Sequence, residues 1–89
     1  MSWEDVSYVL RSKTRKAVLT KLDTPKTPTL LALELHTSIP NISRALRELL
    51  AKKLIESLTP MERSGKLFVA SKHGRLVFSK VKEISDAKV

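Results

Sequence analysis

The chain contains no cysteine. Disulfides, thiolate metal sites and cysteine nucleophiles are therefore excluded, and a reducing, cytoplasmic location is the expectation. Only two glycines occur, Gly65 at the tip of a turn and Gly74 at the start of a helix. Neither position forms part of a glycine-rich phosphate loop. A long apolar run is missing as well: the opening MSWEDVSYVLRSKTRK sets acids before its bases, which is the pattern of neither a signal peptide nor a membrane span. No membrane partner is expected. Acidic residues are few and scattered among different elements, and His36 and His73 have no second ligand-type residue at useful spacing. With no Ser, His and acid set, no metal site and no nucleotide loop, the chain is expected not to be an enzyme and to carry no cofactor, and no small-molecule ligand is evident from the sequence.

What is present is positive charge. Against 9 Asp and Glu stand 17 Lys and Arg, a formal net charge of +8 on 89 residues. That balance favours polyanionic partners, and the length predicts a single domain over residues 1–89 with a modest core. No internal repeat or low-complexity tract interrupts it.

Start and stop signals divide the chain. Ser2 with Asp5 makes a variant capping box for an N-terminal helix within residues 1–11, on which Trp3, Val6, Val9 and Leu10 share a stripe. Ser12 caps a second helix, in which Val18 and Leu22 face inward, and DTPKTP ends it as a linker-like stretch, because proline disfavours helical geometry in the residue before it. Thr27 followed by Pro28 starts a short apolar third helix, TLLALEL. The fourth, over residues 39–53 with Ser38 as its cap, separates by angle. At about 100° per residue, Ala45, Leu46, Leu49 and Leu50 cluster around Ile42, while Pro40, Arg44 and Arg47 lie opposite, flanked by Asn41 and Ser43. IESLTP and LFVAS then read as two short strands around a basic turn containing Arg63, Ser64, Gly65 and Lys66. Ser71 caps a last helix within residues 71–89, with Val77, Val81 and Ile84 at intervals of four and three and Phe78 beside them.

The stretch LLALELHTSIPNISRALRELLAKKLIE, the turn RSGK and the passage ASKHGRLVF, in this order, resemble the winged helix-turn-helix domains of ArsR-type and related small transcription regulators. The resemblance covers roughly everything past Ser12. It implies an α+β, mostly α fold with a three-helix core, a β-hairpin wing over residues 60–67 and extra N- and C-terminal helices. Two positions depart from the family pattern: His36 stands where glycine is common in the turn, although histidine tolerates positive φ, and Ala70 replaces a larger apolar residue.

The resemblance further implies sequence-specific binding of double-stranded DNA. Ser38, Pro40, Asn41, Ser43, Arg44 and Arg47 are then expected at the major groove, and Arg63, Ser64 and Lys66 on backbone or an adjacent minor groove. Residue chemistry agrees, since arginine pairs bidentately with guanine, asparagine with adenine, and lysine with any phosphate. A competing account treats Arg44 with Glu48, and Glu48 with Lys52, as ordinary i, i+4 pairs on a solvated face. Another keeps the winged fold as a protein-interaction or RNA-associated adaptor. A homodimer is expected through Trp3, Val6, Leu10, Val77, Phe78, Val81 and Ile84, because the core and hairpin should cover only part of both terminal stripes. Val77, Val81 and Ile84 could equally line the domain's own core.

Overall fold

A computed structural model describes residues 3–59 and 66–86. The element order is α1 (Trp3–Leu10), α2 (Lys13–Lys21), α3 (Pro28–Leu35), α4 (Ile39–Ala51), β1 (Ile55–Ser57), β2 (Phe68–Ala70) and α5 (Lys72–Asp86). The caps fall where hydroxyl chemistry places them: Ser12, Thr27 and Ser38 accept hydrogen bonds from the amides of Arg15, Leu30 and Asn41, satisfying donors that the first helical turn leaves without a partner. Ser71 does the same for Gly74, at 2.9 Å. Arg63 and Ser64 lie outside the described residues, as do positions 87–89 of the expected last helix.

Both α3 and α4 close on left-handed residues that are not glycine. After α3, His36 has φ 53°, and the Thr37 and His36 amides return to the carbonyls of Ala32 and Leu33. After α4, Lys53 has φ 59°, and the Leu54 and Lys53 amides return to Leu49 and Leu50. These are Schellman closures. The second ends the helix at Ala51, two residues before the expected boundary at 53.

The strands pair antiparallel, with Ile55 opposite Ala70, Glu56 opposite Val69 and Ser57 opposite Phe68. DTPKTP is not merely a linker. Lys26 exchanges backbone hydrogen bonds of 3.0 and 2.9 Å with Phe68, adding a third edge to the hairpin. Its setting accounts for this: Lys26 lies between Pro25 and Thr27, and Thr27, which precedes Pro28, is extended at φ −91°, ψ 159°, as the residue before proline prefers.

One hydrophobic cluster joins all five helices and the hairpin, with Val6, Val9, Val18, Leu19, Leu31, Ile42, Leu49, Leu54, Val77 and Val81 among its members. The terminal stripes are thereby corrected. Val6, Val77 and Val81 are at most 1% exposed, because α1 and α5 pack on each other and on α2, so these side chains are spent within the chain. Phe78 is half-buried against the same core. Trp3, Leu10 and Ile84 remain exposed, Trp3 by 67%. His73 Nε2 and Asp5 Oδ2, 2.6 Å apart, fasten the start of α5 to α1.

Candidate nucleic-acid interface

The fourth helix owes its two faces to its sequence. Ile42, Ala45, Leu46 and Leu49 are buried, which pins the opposite side outward. Pro40, Arg44 and Arg47 are exposed there, with Asn41 and Ser43 half-exposed beside them. Ser38, also exposed, uses its hydroxyl as the cap, 3.3 Å from the Asn41 amide. Lys66 stands on a different element, the approach to β2, and is half-buried. Residues 38–47 are thus brought together, while Lys66 belongs to a separate element.

The pairing expected of a plain solvated helix does not form. Glu48 is engaged across the fold by Arg15 of α2, whose Nη1 lies 3.3 Å from Oε1. Arg15 is held from its other side by the Tyr8 carbonyl at 2.9 Å and lies over the Tyr8 ring, 3.8 Å from its centroid. With Glu48 occupied, Arg44 turns to Asn41 Oδ1 at 2.9 Å. Its contact is neutral and its charge is uncompensated. Elsewhere Glu34 takes Lys21 and Lys26 across the fold, whereas Glu83 takes Lys80 within its own helix. Among the described residues, no carboxylate lies within ion-pair distance of Arg44, Arg47 or Lys13.

Asn41 is used at both ends. Its Nδ2 donates to Thr37 Oγ1 at 3.1 Å while its Oδ1 receives Arg44, so in the unliganded chain it orients Arg44 and is not free to read a base. Two features escape sequence reasoning. Ile39 is 49% exposed at the start of α4, an apolar group of the kind that packs on a thymine methyl. The first turn of α2 lies beside α4: Ser12, Thr14 and Arg15 share a cleft of about 220 Å³ with Asn41, Arg44 and Glu48. No local signal reveals this neighbour, because α2 and α4 are separated in sequence by the whole of α3. Among the described residues, no three His, Asp or Glu side chains gather as a metal set, and no helix is long and apolar enough to cross a membrane.

Comparison with known proteins places this geometry. No family model matches the chain, and no curated protein matches it. Among solved structures, a MarR family transcription regulator superposes with a TM-score of 0.79 at 24% identity, over 96% of this chain and 61% of that one. The transcriptional regulator Tm0710 from Thermotoga maritima gives 0.72 at 24% identity, over 88% and 60%. A mutant MarR from E. coli, solved in complex with operator DNA, gives 0.73 at 22% identity, over 90% and 59%. The chain spans about three fifths of the length of these three structures. They share the winged helix-turn-helix fold with it, and α4 is the helix that follows the turn. Two of these three neighbours are MarR proteins and none is of ArsR type by name, so the ArsR-type label does not carry over.

Proposed function

We propose that this chain binds duplex DNA sequence-specifically as a small, MarR-like transcription regulator, with α4 in the major groove and the hairpin turn on backbone or minor groove. The supporting observation is the diversion of Glu48 to Arg15, which leaves Arg44 an uncompensated cation on the outward face of a helix whose inner face is buried, beside Arg47, which among the described residues has no ion-pair partner of its own. Arginines so placed suit guanine O6 and N7. An adaptor for protein contact would instead present apolar anchors along that face, and beyond its first turn the face presents arginines.

The reading makes affinity depend on salt. Each phosphate neutralised contributes about −0.9 to the slope of log affinity against log salt concentration, so titrating the chain against one duplex over a range of salt is expected to give a steep negative line. A flat line would remove DNA as the ligand.

The chain is further proposed to act as a homodimer, with Trp3, Leu10 and Ile84 as the apolar groups left for a partner. Two copies related by a two-fold axis would set two recognition helices on one face of the duplex, with half-sites about 34 Å apart or a multiple of that. Light scattering is expected to report a dimer at tens of micromolar, converted to a folded monomer by Trp3→Glu together with Ile84→Glu. Val81→Glu is unsuited to this test, because it would place a charge in the core. A monomeric intact chain at that concentration would refute the dimer.

A further inference from the structure

The geometry points to a second DNA contact, a backbone-phosphate notch formed by Lys13 and Thr14 of α2 with His36 and Thr37 of the turn before α4. This inference rests on the DNA reading and extends it to a helix outside the helix-turn-helix pair.

A cleft of about 330 Å³ separates the first turn of α2 from the turn residues, lined by Lys13, Thr14, Ala17, Leu35, His36 and Thr37. Its lining contains no carboxylate. Lys13 is exposed, and among the described residues it has no ion-pair partner. Thr37 Oγ1 already accepts a proton from the Asn41 side-chain Nδ2 at 3.1 Å, so its own O–H remains to be donated. Thr14 brings a second hydroxyl and His36 an exposed imidazole. An ammonium, two hydroxyls and a ring nitrogen around a gap free of acid make a donor set for one phosphate. The neighbouring cleft, which holds Asn41 and Arg44, contains Glu48 and is the poorer anion site.

Thr14 lines both clefts. It therefore forms the ridge between the notch and the side chains proposed to face bases. A strand running past α4 would have a phosphate at the notch while its bases meet Arg44. The contact is indifferent to sequence and fixes register, as phosphate contacts do.

Fluorescence anisotropy of the intact chain tests this, using a duplex recovered by selection from random sequence and a scrambled duplex of equal length. Lys13→Gln is expected to weaken both by the same factor and to reduce the salt slope by about 0.9, the share of one phosphate. Thr14→Glu is expected to weaken both further. Glutamate in the first turn of a helix is stabilising, so the melting temperature should hold or rise and the loss cannot be ascribed to unfolding.

If both variants keep the affinity and slope of the intact chain while Arg44→Ala weakens the selected duplex, the notch is wrong and the DNA reading stands. If the intact chain binds neither duplex, both fall. A loss confined to the selected duplex would make these residues readers of sequence and would overturn the phosphate assignment.

Discussion

Arg44→Ala and Arg47→Ala are each expected to cost about 1–3 kcal/mol on a specific duplex and to relax the preference at the base each contacts. That is roughly 5- to 150-fold in dissociation constant. Lys66→Ala, lost from a sequence-indifferent contact, is expected to weaken specific and scrambled duplexes alike. The contrast depends on where Glu48 is. Were it paired with Arg44 along the helix, removing Arg44 would also leave an unpaired acid facing a polyanion. Because Glu48 is held by Arg15 at 3.3 Å, alanine at 44 strands no acid; besides the contact to DNA it removes only the exposed hydrogen bond to Asn41 Oδ1. Binding assays on the two duplexes check this; a common factor for all three variants would displace α4 as the reader of sequence.

Gly74→Ala is expected to destabilise the fold by about 3 kcal/mol or more, as overpacking against backbone does. Two effects oppose each other here. Alanine is the better helix former by about 1 kcal/mol. Against that, a Cβ at this position would lie 1.8 Å from the Leu54 carbonyl oxygen and 2.8 Å from its carbon. The obstacle is backbone and cannot swing aside. The Leu54 amide bonds the Leu49 carbonyl at 3.0 Å and its carbonyl accepts Ser71 N–H at 3.0 Å, so relief requires moving α5 away from the end of α4. Overlap wins, and the melting temperature should fall by about 12 °C or more for a domain of this size. Thermal unfolding followed by circular dichroism measures it; a variant melting at or above the parent temperature would contradict the close approach.

These two positions show what a sequence discloses and what it withholds. The division of α4 into a buried and an open face was legible, because Ile42, Ala45, Leu46 and Leu49 recur with the helical period, and Ser38 marks the start. The left-handed turn at His36 was also within reach, from the tolerance of histidine for positive φ. Gly74 could be read as a residue at a helix start but not as a point of contact, since only the folded chain brings Leu54 against it. Likewise Glu48 could be matched with Arg44 and Lys52, its neighbours one turn away, whereas its actual partner is separated by 33 positions. The terminal stripes were ambiguous for a related reason. Periodicity shows that Val6, Val77 and Val81 share apolar faces but not whether another helix of the same chain or a second molecule covers them. The pairing of Lys26 with Phe68 was concealed by prolines that read as a break.

The grip of Arg15 also ties the outward charge of α4 to the seating of α1. Glu48 has three basic groups to choose from, Arg15 across the fold and Arg44 and Lys52 one turn before and after it. The Tyr8 carbonyl and ring hold Arg15 in place for that carboxylate. Moving Tyr8 away would remove both of these holds on Arg15 and leave Glu48 open to Arg44 and Lys52, its neighbours one turn away. In mechanical terms α1 is a brace: with Tyr8 holding Arg15 on Glu48, α4 offers Arg44 to solvent as a bare cation.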